Sequence, residues 1–290
     1  MASLPESAGS VRGGQIVWAP SEEMTLNGWY WFFKALLWIP IQILAPTKVS
    51  GAENVPDKGP VVLAGNHISY AETVLIPANL RRRVTFPAKA EAFNMPGVGG
   101  RLLGWFLRAI GQVPMDRSGG RASAASMDEA NHVLTTGGVL GIFPEGTRSP
   151  DGRMYKGRTG MARLVLQNRV PVVPVASVGT EIVRGPLGIP HVRSPRIRYG
   201  RMLDFTPWAD NAGDREVLRW VTDTTMAEIQ KLSGQRYVDA YASSVKSGIL
   251  TPEEVEARIA PAPGWNRERP LTDAERLAVQ TAAKESGVDH

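Results

Sequence analysis

Hydrophobic and polar positions divide the chain into four stretches. Residues 1–25 are rich in Gly, Ser, Pro and Ala and carry no sustained period, which predicts a flexible N-terminal arm. Residues 26–46, "LNGWYWFFKALLWIPIQILAP", are the most apolar part of the sequence, with Trp29, Tyr30, Trp31 and Trp38 close together and Lys34, Pro40 and Gln42 interrupting them. This stretch falls short of the ~20 clean apolar residues of a spanning helix, and aromatics with a polar tip favour the headgroup boundary. It is therefore expected to lie in a membrane interface as a helix or broken helical pair, the alternative being an aromatic-rich core helix. Residues 47–235 alternate short apolar runs with helical patterns. Strands are predicted at 61–65, 84–89, 139–143, 170–177 and 196–203, and helices near 72–80, 97–109, 121–136, 158–168 and 214–232. Such alternation predicts an α/β domain with a mixed central sheet flanked by helices. Residues 236–290 are polar, with one or two short amphipathic helices around a Pro-Ala-Pro hinge, and no chemistry is assigned to them.

Composition narrows the function classes. At 290 residues and 43% hydrophobic side chains the chain can bury a sizeable core. It contains no cysteine, which excludes disulfides, thiolate nucleophiles and cysteine-ligated metals and fits a reducing compartment. The net charge of +5 suits nucleic acid, anionic lipid or a phosphorylated substrate alike. The "RRR" run at 81–83 has no interleaved aromatics and reads as a solvated turn, so no nucleic-acid partner is expected. The four histidines lack metal-binding spacing, so no metal is expected.

The candidate chemistry lies at predicted strand ends, where open α/β sheets keep their sites. "VVLAG" has the unbroken apolar character of a strand buried on both faces, and "NHISYAE" at 66–72 follows it directly. His67 and Glu72 are five apart and cannot touch along one straight helix, so one of them must precede it. "SYAE" at 69–72 matches a capping box in which Ser69 caps the helix and Glu72 turns back. From that position Glu72 could also accept a hydrogen bond from His67, leaving the other ring nitrogen as a general base. The second cluster, "FPEGTRS" at 143–149, places Glu145, Gly146, Thr147 and Arg148 at another strand end, where the guanidinium could grip an anionic oxygen. Arg117 closes "GQVPMDR", and Lys89 ends the strand in "FPAKAE". Neither a Gly-Lys-Ser/Thr phosphate loop nor a Gly-x-Ser-x-Gly elbow is present.

Together these blocks resemble the 1-acylglycerol-3-phosphate acyltransferase family: Asn66 to Glu72, Gly111 to Arg117, Phe143 to Ser149 and Val170 to Val175 follow its order. The resemblance covers roughly residues 50–205. One position departs, Glu72 standing where the family more often has aspartate, and the added methylene changes the reach. The resemblance implies a His67–Glu72 general-base dyad that lets a lysophospholipid hydroxyl attack an acyl thioester directly. Arg117 and Arg148, with Lys89 behind them, would hold the acceptor's phosphate, while Asn66, Ser69, Glu145, Gly146 and Thr147 shape the site. The implied co-substrate is acyl-CoA or acyl-ACP with no further cofactor. The implied partners are membrane lipids, and the implied location is the cytoplasmic face of the cell membrane, peripheral or monotopic. Alternatives are an acyltransferase for another lysophospholipid headgroup and a non-catalytic phospholipid-binding membrane protein.

Overall fold

The computed structural model of the chain describes residues 10–12, 15–17, 28–89, 93–109, 112–115, 121–184, 190–192 and 194–285. Most of the predicted N-terminal arm, and Arg117, lie outside these residues. The arm's described part is a hairpin of β1 (Ser10–Arg12) and β2 (Gln15–Val17). Then follow α1 (Gly28–Leu44), β3 (Lys48–Ser50), β4 (Val61–Gly65), α2 (Glu72–Ala78), β5 (Val84–Lys89), α3 (Gly97–Ala109), β6 (Gln112–Met115) and α4 (Arg121–Thr135). The chain continues through β7 (Val139–Ile142), β8 (Met154–Tyr155), α5 (Gly160–Asn168), β9 (Val172–Val178), β10 (Ile182–Arg184), β11 (Pro190–Val192), β12 (Arg196–Tyr199) and α6 (Arg215–Ser233). Its last elements are β13 (Tyr237–Val238), α7 (Ala242–Lys246), α8 (Pro252–Glu256), β14 (Ile259–Ala260) and α9 (Asp273–Glu285).

Seven strands form one sheet in the order β3-β12-β9-β4-β7-β5-β6. The neighbours β9, β4, β7, β5 and β6 run parallel, and β12 joins β9 antiparallel, so the sheet is mixed. Every residue of β4 is buried. Successive side chains of a strand point to opposite faces, and in β4 both faces find cover. Val62 and Ala64 pack with Leu134 of α4, Val165 of α5 and Val221 of α6. Val61 and Leu63 pack with Leu75 and Ile76 of α2 and with Ala45 just past α1. An unbroken apolar run is the sequence consequence of that two-sided burial.

The central parallel strands all bring their C-terminal ends to one edge, from which the described loops after β4, β7 and β9 leave. The loops after β4 and β7 carry most of the candidate residues. The opposite edge is closed by Arg82, which donates to the carbonyls of Pro56, Gly59 and Gly137 at 3.0, 2.7 and 2.9 Å. The middle of "RRR" is thus a tie between loops and not a solvated charge. A planar guanidinium with five donors can satisfy three carbonyls that water would otherwise have to reach.

Residues 236–260 pack back on the domain. β13 pairs in parallel with β8 and antiparallel with β14, and Val238, Ala240, Ala242 and Val255 form an apolar cluster with Tyr155. The stretch set apart by its polarity is a strap across the 144–158 loop.

Gly141 of β7 allows close approach: a Cβ there would meet Phe86 Cε1 at 2.3 Å, and Phe86 in turn stacks on Phe143. Gly141→Ala should therefore destabilise the domain by about 1–3 kcal/mol, the usual cost of overpacking a close-packed core. A denaturant midpoint unchanged from wild type would show that the ring moves aside freely.

Candidate active site

β4 ends at Gly65 and the chain turns through 66–71 before α2 begins at Glu72. Asn66 fixes the start of this turn. Its side chain accepts from Ser177 N at 2.7 Å and donates to Ser177 O at 2.9 Å, so the ends of β4 and β9 are stapled by one amide. The same amide donates to Gln235 Oε1 at 2.7 Å. The main chain of His67 is held by Ser149 N, which donates to its carbonyl at 2.7 Å. Its ring lies flat on Phe143, with centroids 4.0 Å apart and planes 9° from parallel. Backbone and ring are therefore both fixed.

His67 Nδ1 lies 2.8 Å from Glu72 Oε2. Glu72 is wholly buried, and its other oxygen, Oε1, accepts from Ser69 N at 2.8 Å, from Ile68 N at 3.3 Å and from the Thr180 hydroxyl. A carboxylate gathering this many donors is acting as an acceptor, which makes Nδ1 a donor and leaves the lone pair of the neutral imidazole on Nε2. Among the described residues Nε2 has no hydrogen-bond partner. The capping and orienting readings of Glu72 are thus divided between its two oxygens. The Ser69 half of the capping box departs from expectation: Ser69 Oγ accepts from Ala71 N at 3.1 Å and does not reach the helical amides. The tight turn before Glu72 brings Ala71 N closer to the hydroxyl.

The loop after β7 supports the same histidine from the other side. Gly146 N donates to Phe143 O at 2.9 Å, closing a turn that leaves Gly146 at a φ of 75°, where a Cβ is disfavoured. The turn drives Glu145 inward, where Oε1 accepts from His67 N at 3.2 Å and Oε2 from Tyr155 N at 3.0 Å. Burial pushes the Glu145 carboxyl up to about 8, with the nearby charge of Glu72 adding to the rise and the two amides opposing it. Arg148 points outward, its guanidinium 3.9 Å from the centre of the Tyr70 ring. Thr147 Oγ1 accepts from Lys246 Nζ at 3.0 Å.

The structure brings His67, Glu72, Asn66, Ser69, Glu145, Gly146, Thr147 and Arg148 to one place. Lys89 ends β5 with its backbone in register with Met115 of β6, two residues before Arg117, which lies outside the described residues. Sequence reasoning missed Thr180, Gln235 and Lys246. Thr180 follows β9 in "SVGT" and is an ordinary loop threonine by pattern. Only the pairing of β9 with β4 puts it on Glu72, 108 positions away.

Glu145 yields a stability prediction. The folded chain holds its proton up to about 8, whereas an ordinary glutamate loses it near 4.5. Between those values the folded state binds more protons than the unfolded state, so this group's contribution to stability falls as pH rises through the window. Unfolding free energies of wild type and Glu145→Gln, measured by denaturant from pH 4 to 9, should differ by an amount that changes within that window and levels off above it. Parallel curves would show that Glu145 does not titrate there.

Residues 46–178 match the family described as Acyltransferase. The chain is 31% identical over 151 residues to a chloroplastic 1-acyl-sn-glycerol-3-phosphate acyltransferase of Brassica napus, covering 51% of this chain and 42% of that protein. It is 31% identical over 130 residues to the 1-acyl-sn-glycerol-3-phosphate acyltransferase of Pseudomonas aeruginosa, covering 44% and 48%. The chain thus spans about half the length of these curated relatives. The fold is similar to the crystal structure of the 1-acyl-sn-glycerophosphate acyltransferase from Thermotoga maritima, with a TM-score of 0.51, 24% identity, and 69% of this chain and 77% of that one covered. The dyad turn after β4 and the Phe143 to Ser149 loop both fall inside residues 46–178, the stretch that is similar to the Acyltransferase family.

Proposed function

We propose that this protein is a membrane-associated O-acyltransferase that moves an acyl chain from a thioester, acyl-CoA or acyl-ACP, to the free hydroxyl of 1-acylglycerol-3-phosphate, giving phosphatidic acid. The observation that carries this reading is the 2.8 Å contact between His67 Nδ1 and a buried Glu72 whose second oxygen is already committed to the loop. Nε2 takes the hydroxyl proton as the oxygen attacks the thioester carbonyl carbon, and Glu72 stabilises the imidazolium that forms. As the tetrahedral intermediate collapses, the C–S bond breaks and the imidazolium returns its proton to the leaving thiolate. A new ester is formed and no acyl-enzyme is needed. Arg148 beside this centre suits the phosphate of the acceptor, with Lys89 at the end of β5 and Arg117 as further candidates.

Support for membrane contact comes from how α1 is seated. Its interrupting polar residues face the protein: Lys34 Nζ donates to Leu80 O, and Gln42 Nε2 donates to Asn79 Oδ1 at 3.1 Å. Burial holds Lys34 down to about 8. The outward side exposes Trp31, Leu36, Trp38, Ile39 and Ile43, and α3 adds Val98, Leu102 and Trp105. No described helix is long and apolar enough to cross a membrane, so this surface is read as lying in the interface.

His67→Ala should lower turnover by about 10²–10⁴ or more, the range for general-base catalysis, with the fold kept. Thiol release from acyl-CoA in the presence of lysophosphatidic acid measures it, and activity within tenfold of wild type would end the general-base role. Glu72→Gln should lower the rate by a similar order, because it removes the charge that steadies the imidazolium. A second expectation concerns attachment. Replacing Trp38, Ile39 and Ile43 together by Ser should abolish sedimentation with phosphatidylcholine–phosphatidylglycerol vesicles, and unchanged sedimentation would move the membrane surface elsewhere.

A further inference from the structure

We propose that Lys246, delivered by the C-terminal strap, is a second cation of the acceptor's phosphate site and selects a terminal phosphate monoester over a diester headgroup. This rests on the acyltransferase reading above.

The strap is anchored firmly enough to position a side chain. Met154 N donates to Arg236 O and Lys156 N to Ala240 O, each at 2.9 Å, and Gln235 spans from Asn66 to Gly152 O. Buried Val238, Ala240, Ala242 and Val255 pin it on Tyr155, whose own amide is held by Glu145. α7 therefore ends beside the loop that carries Arg148, where Lys246 donates to Thr147.

The charges around the strap fall into two sets. Several away from the 145–148 turn are ion-paired: Lys156 pairs with Asp239 at 2.9 Å, and Arg153 and Arg236 pair with Glu256 at 2.8 and 2.9 Å. Those bordering the 145–148 turn are not. Among the described residues Lys246, Arg148 and Arg158 form no ion pair. Arg158 donates to Ser243 Oγ at 3.0 Å and lies over Tyr241, Arg148 lies over Tyr70, and Lys246 uses one of its three protons on a hydroxyl. Burial and the charge of Arg148 hold Lys246 below the ordinary lysine range, against the opposing pull of Glu145. Cations placed together without an ion-pairing carboxylate make a site that an anion completes.

Position and valence identify the anion. The turn that carries Arg148 and meets Lys246 at Thr147 is tied to His67 through Ser149, so an anion held there lies near the base. The phosphate of a glycerol monophosphate is only a few bonds from its free hydroxyls, as such a placement requires. A phosphate monoester carries about −1.5 to −2 charge near neutral pH and three free oxygens, enough for two cations. A diester carries a single charge and gains less from the second.

The test compares wild type, Lys246→Ala and Lys246→Arg as full chains. With lysophosphatidic acid varied, Lys246→Ala should raise KM about tenfold, and Lys246→Arg should recover most of the loss. KM for lysophosphatidylglycerol and for the acyl donor should each move less than threefold. Binding of glycerol 3-phosphate, followed by calorimetry, should weaken by the same tenfold in Lys246→Ala. Equal rises for monoester and diester acceptors, glycerol 3-phosphate affinity unaffected by Lys246→Ala, or no binding by wild type would overturn the proposal. If wild type transfers no acyl chain yet binds glycerol 3-phosphate in a Lys246-dependent way, the acyltransferase reading fails and the monoester site stands.

Discussion

A carboxylate with no solvent exposure opens α2, one turn past the central strand, and the arrangement of the surrounding loops follows from the need to offset its desolvation. An isolated buried charge costs several kcal/mol, so Glu72 is tolerable only where donors converge on it. Two come from amides of the 66–71 turn, one from Thr180 beyond β9 and one from His67. Each donor imposes a constraint. The turn must be tight, β9 must lie beside β4, and the histidine must present Nδ1. The orientation of the imidazole is thus a by-product of satisfying a buried acid, and Phe143 beneath the ring closes off alternative rotamers.

Glu145 is the instructive contrast. It is almost as buried as Glu72 and also accepts two hydrogen bonds, yet both come from neutral amides, and the neighbouring carboxylate repels its charge. Burial wins there. Two acids close together in the fold thus have different surroundings, donors converging on Glu72 and burial prevailing at Glu145. Glu145 couples the His67 amide to the Tyr155 amide, so the loop after β7 and the strap over β8 share one hinge point with the histidine.

What was legible in the sequence was whatever depends on local pattern. β4 and β5 occupy the predicted 61–65 and 84–89, and α3 the predicted 97–109, because apolar runs and helical periods report burial directly. Glu72 and His67 were legible together because five positions of chain separate them. The sequence shows Lys34 and Gln42 interrupting the apolar stretch but not where they point. Eight residues apart, they fall on one helical face, so they seat α1 against α2 and leave the outer face apolar. Two-residue strands such as β8 and β13 lack enough length to show a period, and their pairing is set by tertiary contact. Thr180, Gln235 and Lys246 reach the site from 108, 169 and 99 positions beyond their partners, and nothing local marks them.

The same long-range dependence bears on where the domain ends. The family match stops at 178, yet β9 and β4 are covered on one face by α6, whose Val217, Leu218, Val221, Met226 and Ile229 are essentially fully buried. Each such side chain contributes about 1.5–3 kcal/mol by leaving water, a sum comparable to the whole stability of a typical domain. β12, which borders β9 and carries β3 on its other side, also lies past the match. The matched segment therefore leaves part of the cover of its own sheet outside it. The match takes in the dyad turn and the Phe143 to Ser149 loop, whereas the buried face of α6 asks mainly for suitable apolar volume, which many sequences supply.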